Sequence, residues 1–485
     1  MGCAEEAARA QILVPHRPTR RGVRSLVPTI ALIALTSFAG MALLRTESRA
    51  ATGDVLPSGS WPRFLGPTGN GFSPETNLVD RIPTNGLPVV WERSIGTGYA
   101  APSVLDAQLV LHHRLGNEEI VESFDAASGQ PGWRHADPSR FQDPYGYNNG
   151  PRSTPLLTSN RVFTFGAEGR LVALERTSGR LLWQRETGRE FDVPEAFFGV
   201  GSTPLLEGGR LLVMVGGQPN SGVVAFDPES GRTLWQNVGE TNWSGQPMRG
   251  WPGEPVVRWQ RTDKQASYSS PVGATFHGQR HVLCLTRQGL VSLNPTNGAV
   301  RFSFWFRARV NDSVNAANPV VHEDLVLITA AYYRVGSVLL RVHPDGNGVD
   351  EVWRGTGMEA HWSTPLLIDG RLYGFSGRNE PDAVLRCVDF ASGRILWERD
   401  ERWPPHSSRQ PAVFGRGSFI CADGRLVALG EGGLLGLFRP SATACEELGR
   451  WQVPSLHYPC WAAPVLASGR LYLRSEARLV CVSLR

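Results

Sequence analysis

Apolar and polar positions in this chain alternate in short runs broken by turn residues, the period expected of half-buried strands. The run from Arg371 to Ser376, the run from Val384 to Phe390 and the run from Arg394 to Trp397 follow one another with turn signals between them. The stretch Phe390-Ala391-Ser392-Gly393-Arg394-Ile395-Leu396-Trp397 reads as a strand end, a tight turn with Gly where φ is positive, and a strand closed by Trp. The same pattern stands at Asp125 to Trp133, Glu175 to Trp183 and Asp227 to Trp235, and Asn294 to Phe302 repeats it with Phe in the Trp place. Looser copies end at Trp353 and Trp451, and Trp91 lies in a similar short apolar strand. These eight aromatics are 42 to 67 residues apart.

A second series runs in phase with the first. A Pro opens an apolar strand at Pro102, Pro155, Pro204, Pro271, Pro319, Pro365, Pro411 and Pro464. Two eightfold series in one register, with four strands to a unit of about 50 residues, predict an all-β, eight-bladed propeller. The last unit, from Pro464 to Arg485, holds three strands and no Trp-bearing fourth. The strand around Trp91 is expected to supply it and to close the ring near Val482. No segment after residue 50 has sustained helical periodicity.

Repeat geometry then assigns two faces. The turns joining first to second and third to fourth strands are short, as at Asp369-Gly370 and Ala127 to Gly129. The opposite face carries the long connections, Arg134 to Gly150, Gln184 to Gly201 and Gln236 to Ala266, the last with Trp243, Trp251 and Trp259. It also carries the second-to-third loops, with His112-His113-Arg114, Gln218-Pro219-Asn220, Tyr332-Tyr333-Arg334 and Arg378-Asn379-Glu380-Pro381-Asp382. Function is expected on that decorated face.

Charge changes the picture little. The chain of 485 residues carries a formal net charge of +4. Residues 1–50 hold seven Arg and three Glu, which accounts for all of it and leaves 42 basic and 42 acidic residues in the body. A neutral body argues against a nucleic-acid binder. Lys264 is the only lysine, which excludes a P-loop. Residues 26–44 are apolar behind a basic flank, and Ser48-Arg49-Ala50 resembles a cleavage site. We read residues 1–50 as a signal peptide or an uncleaved signal anchor, 51–88 as linker and collar, and 89–485 as the propeller. The expected location is the periplasm or cell envelope, with membrane attachment through residues 26–44 if they are retained. Of the six body cysteines, Cys284, Cys387 and Cys481 sit in apolar strands and read as core, while Cys445 and Cys460 form the pair to test for a disulfide.

The turn Asp-x-x-Ser-Gly-x-x-x-Trp and the strand-opening Pro, over residues 89–485, resemble the PQQ-like β-propeller repeat family. Trp61 to Ser73 is similar to the lead-in of envelope proteins of the planctomycete type in that family. The resemblance implies a quinoprotein-type ring. It admits two functions: a cofactor-free scaffold, such as the outer-membrane assembly lipoprotein BamB, or a dehydrogenase of alcohols or sugars holding pyrroloquinoline quinone and Ca²⁺ on the axis. Quinoproteins of the alcohol dehydrogenase kind carry adjacent cysteines, and no two cysteines are adjacent here. No Gly-x-Ser-x-Gly elbow, zinc helix or haem motif occurs, so catalytic residues remain unassigned. Asp345 to Asp350 resembles a Ca²⁺ loop but falls where a hairpin turn belongs.

Residues just before each opening Pro should ring the axis. The candidate binding residues are Arg152, Tyr268, Asn315, His361, Trp362, Arg409 and Trp461, joined from the loops by Arg378, Glu380 and Asp382. Aromatic, amide and Arg side chains at a concave mouth suit a partner protein or an envelope polymer. Catalysis is not expected of them, and Glu380 with Asp382, and Asp312, are the carboxylates a dehydrogenase would draw on.

Overall fold

The computed structural model describes residues 59–485 apart from 195–197, 240–267, 309–312, 380–381 and 404–411. Eight sheets, antiparallel save for one short added strand, account for nearly all of its regular structure. In chain order the first strands of the blades are Ser103–Leu105, Leu156–Leu157, Leu205–Glu207, Val272–Phe276, Val320–His322, Leu366–Ile368, Ser418–Ala422 and Val465–Ala467. First strands of neighbouring blades touch, so they form the inner wall, and each sheet runs outward from there.

The ring closes as the missing strand requires. Blade 8 takes Val465–Ala467, Arg470–Arg474 and Arg478–Ser483 from the C-terminus and Val89–Ser94 as its outer strand, with Trp91 opposite Cys481 and Val89 opposite Val482. The free strand edge that each terminus would leave is thereby paired.

The repeat motif has a specific physical task. In the turn at Asp389, the Oδ1 atom accepts the Ser392 backbone N–H at 2.9 Å and its hydroxyl at 2.5 Å. Gly393 then adopts φ 69°. The same bonds at Asp125 hold its carboxyl below the usual range through the Ser128 hydroxyl. In blades 8, 1, 2, 3 and 5 the outer Trp lies over this turn in the next blade. Trp91 donates Nε1–H to Ala126 O at 3.1 Å, Trp133 to Arg176 O at 2.8 Å, Trp183 to Pro228 O at 3.0 Å. Trp235, Trp353 and Trp397 repeat it onto Pro295, Phe390 and Ser441. A Cβ on Gly129 would stand 2.6 Å from the Trp91 ring, and one on Gly393 2.7 Å from that of Trp353. Gly is therefore needed both for the turn and for the indole that covers it. Between blades 7 and 8 the third-to-fourth turn is replaced by the chain ends, and Gly86, just ahead of the closing strand, takes the place under Trp451. Phe302 stands at the Trp position of blade 4 and has no N–H to give.

Residues 59–88 are more than a collar. Trp61 pairs with Val104 in blade 1, and Pro62 O accepts from Leu157 N in blade 2. Phe72–Ser73 then runs parallel to Cys421 and Ala422 in blade 7. The segment thus crosses the axis on the short-turn face, with Trp61 1% exposed.

Three expectations change. His112, His113 and Arg114 belong to the strand Gln108–Leu115 and are buried, because that strand continues to a tight turn at Gly116. The first strand of blade 7 begins at Ser418 and not directly after Pro411, which lies outside the described residues. Cys445 and Cys460 are free, as are the other four described cysteines. Cys445 Sγ instead meets Arg399 Nη1 at 3.7 Å, and Cys460 Sγ donates to His457 O at 3.2 Å. Among the described residues no helix is long and apolar enough to cross a membrane; residues 26–44 lie outside them.

Candidate functional site

The segments leading into the first strands converge on the axis at the long-loop face and enclose a cavity of about 330 Å³. Tyr99, Arg152, Tyr268, His361, Trp362, Arg416 and Trp461 come from these approaches. Tyr332 and Arg378 reach in from second-to-third loops of blades 5 and 6, and Phe64 of the crossing segment also lines the cavity. The walls are aromatic because eight approaches crowd one axis, and flat rings fill such a taper with few rotatable bonds. Trp461 stands 4.8 Å from Tyr99, 5.3 Å from Trp362 and 6.0 Å from Tyr147, ring centre to ring centre. The belt continues through Phe198, 5.2 Å from Tyr145 and 5.6 Å from Tyr268.

Three arginines share the lining and differ in their partners. Arg152 Nη2 is 2.8 Å from Asp143, and its guanidinium lies 5.5 Å from the Tyr99 ring centre. Burial pulls its pKa down, countered in part by Tyr268 and Asp143. Arg416 Nη2 is 2.8 Å from Glu431, a carboxylate with no exposed side-chain surface. The same carboxylate accepts Trp461 Nε1–H at 3.0 Å, and the Arg416 guanidinium lies 4.7 Å from Trp362. Burial raises the Glu431 pKa, and Arg416 opposes that shift. Arg416 also donates to Arg378 O at 3.0 Å, fixing the loop that carries the third arginine. The Arg378 guanidinium stacks 4.3 Å from Tyr332 and 5.0 Å from Tyr333, and it meets no carboxylate among the described residues.

His361 lies between Tyr332 at 5.2 Å and Trp362 at 4.9 Å. Burial, then the charges of Arg416 and Arg378, push its pKa down to about 3, so the ring is neutral at ordinary pH. Its Nδ1 and the Nε1 of Trp362 are buried without a hydrogen-bond partner among the described residues. Buried polar atoms are nearly always satisfied, so two orphans on one wall of one cavity point to a ligand or water.

Of the sequence candidates, the fold brings Arg152, Tyr268, His361, Trp362, Arg378 and Trp461 together around this cavity. Asn315 is 1% exposed, and its Nδ2 donates to Thr286 O at 2.7 Å and Phe306 O at 3.2 Å, tying down an approach segment. Asp382 is exposed and outside the lining, where it accepts from Asn379 Nδ2 at 3.3 Å. Glu380, Arg409 and Asp312 lie outside the described residues. Sequence reasoning missed Arg416, because a register read from Pro411 points to Arg409. It also missed the Asp143 and Glu431 anchors, for which no local motif exists.

Ca²⁺ beside a quinone needs several free carboxylate or amide oxygens. Asp143 and Glu431 are both committed to arginines, and no cluster of three His, Cys, Asp or Glu among the described residues could hold a metal ion. The described donor set does not fit a calcium–quinone pair, and no step is derived through one.

Comparison with known proteins bears on the same two alternatives. A family model described as outer membrane protein assembly factor BamB matches residues 117–399. BamB from Moraxella catarrhalis superposes with a TM-score of 0.54 at 14% identity, over 82% of this chain and 99% of that one. Quinohemoprotein alcohol dehydrogenase from Comamonas testosteroni gives 0.57 at 13% identity, over 88% and 80%. The computationally designed Ika8 protein gives 0.53 at 10% identity, over 82% and 100%, so likeness at this level speaks for the fold alone. Among curated proteins, the dehydrogenase subunit of a quinone alcohol dehydrogenase from Komagataeibacter europaeus is 24% identical over 231 residues, 43% of this chain. That match spans 30% of the relative's length.

Proposed function

The chain belongs to the PQQ-like propeller family described as outer membrane protein assembly factor BamB, and from that footing we propose that it is an exported scaffold. It binds an envelope protein or polymer through the long-loop face and catalyses no reaction of its own. Residues 26–44 direct it to the envelope, either as a cleaved signal or as an anchor. One observation carries the reading. The axis is crossed by residues 61–73 on the short-turn side and opens on the other into an aromatic belt with three arginines whose nearby carboxylates are committed. Such a concave aromatic surface suits recognition, and among the described residues its carboxylates are held by arginines and are not free to act as acid or base.

The test uses the full chain as bait on an envelope extract, beside a variant with Trp362→Ala and Arg378→Ala together. Capture of a defined partner by the parent, lost in the variant at unchanged melting temperature, supports the reading. Equal capture by both places recognition elsewhere and overturns it.

The rival is a quinone- and Ca²⁺-dependent oxidation of an alcohol or sugar. The stretch matched to quinone alcohol dehydrogenases keeps it in view, and the committed carboxylates weigh against it. Reconstitution with pyrroloquinoline quinone and Ca²⁺ decides between them. Stoichiometric quinone binding with dye-linked oxidation would displace the scaffold.

A further inference from the structure

The cavity wall formed by Arg378, His361 and Trp362 specifies its ligand more narrowly than a partner in the envelope. Resting on the scaffold reading above, we propose that this wall receives a single carboxylate-bearing sugar ring, a uronic-acid unit of an envelope polysaccharide, with Arg378 as the carboxylate receptor.

Four observations converge. Arg378 is the lining arginine without a carboxylate among the described residues, while Arg152 and Arg416 are neutralised by Asp143 and Glu431. The site therefore has one cation to spare, suited to one anionic group, and a guanidinium takes a carboxylate through two parallel bonds. Next, Trp362 Nε1–H and His361 Nδ1 meet no partner among the described residues; the first can only donate, and the second belongs to a neutral ring. Hydroxyl groups, which both donate and accept, answer both. Third, the aromatic belt offers rings to the C–H faces of a sugar. Fourth, about 330 Å³ lies at the small end of the ligand-site range, and Phe64 lines it from the crossing segment. It has room for a ring-sized group and not for a folded domain.

The test is calorimetric titration of the full chain with a glucuronic-acid trisaccharide, its carboxyl-reduced neutral counterpart, and triglutamate. The acid sugar is expected to bind about tenfold or more tighter than the neutral one, the scale of a hydrogen-bonded charge pair. Arg378→Gln should erase that difference, bringing the acid sugar down to the affinity of the neutral one. Trp362→Phe, which keeps a ring and removes only the donor, should weaken both sugars about fivefold, the scale of one neutral hydrogen bond. Melting temperatures identify any variant that fails to fold, and Arg378→Lys then serves as the second variant, with partial retention of the preference expected. Equal affinity for the two sugars, insensitivity to Arg378→Gln, or preference for triglutamate overturns the proposal. If no sugar binds while capture of an envelope partner persists, this inference falls and the scaffold reading stands. If both fail, the scaffold reading falls with it.

Discussion

The tryptophans of the blade seams and those of the axial mouth solve opposite problems with one side chain. At the seams, six indoles each donate N–H to a backbone carbonyl of the next blade. For the five from Trp91 to Trp353, the ring also lies over that blade's turn glycine. At the mouth, Trp461 donates to Glu431, but Trp362 buries an N–H that meets no partner among the described residues. A buried donor without a partner costs about 1–3 kcal/mol. The seams therefore contribute stability, and the mouth carries a buried donor that costs it. Trp91 tests the first half most severely. It is 8% exposed, lies 5.8 Å from the Tyr472 ring and holds the N-terminal strand that completes blade 8. Trp91→Ala should cost about 3–5 kcal/mol, the usual range for a buried aromatic, read as a lower denaturant midpoint. A cost below about 1 kcal/mol, the level of surface changes, would mean that the closing strand is not anchored by its indole.

A seam can also be attacked from beneath. Gly393 combines φ 69° with the Trp353 ring, 2.7 Å from where a Cβ would stand. Gly393→Ala should lose about 2–3 kcal/mol, from the left-handed backbone and the displaced ring together. The control is Gly370→Ala, with φ 73° and open space around the added methyl. It should cost only about 1 kcal/mol, the backbone part alone. Equal losses at the two sites would show that the indole gives way freely and adds nothing to the cost of the backbone.

The same contrast explains what the chain reveals by eye. The seams were legible because their chemistry is local and repeated: an acid or amide, a Ser or Asn, a Gly and a Trp stand at near-fixed spacing, and six of the indoles make the same bond to the next blade. Closure was legible because a missing strand at one end and a spare strand at the other are both visible in the hydrophobic pattern. The mouth was legible in part. Arg152, His361, Trp362 and Trp461 follow from their place before a blade-opening Pro, since inner strands must begin near the axis. Arg416 was not, because the first strand of blade 7 starts at Ser418, detached from the Pro that marks the other blades. Asp143 and Glu431 were invisible because a carboxylate that neutralises an arginine across a ring leaves no spacing to read. The crossing of the axis by residues 61–73 escaped for a like reason: its bonds go to blades 1, 2 and 7, far along the chain.

The finest test exchanges one ring for another at both kinds of site. Trp353→Phe at a seam removes an N–H that donates to Phe390 O at 3.0 Å and leaves that carbonyl without its partner. The loss should be about 1 kcal/mol, with blade 4 and its Phe302 as a natural precedent that the ring survives. Trp362→Phe at the mouth removes an N–H that has no partner among the described residues to lose. Stability should stay level or rise by up to about 1 kcal/mol, because a desolvated donor is deleted with most of the ring kept. Parallel urea denaturation of the two variants compares them directly. Opposite signs would separate indoles that hold the ring together from one held in reserve for a ligand. A loss at Trp362 equal to that at Trp353 would mean that its N–H already has a partner in the free protein, and the mouth would then be as self-sufficient as the seams.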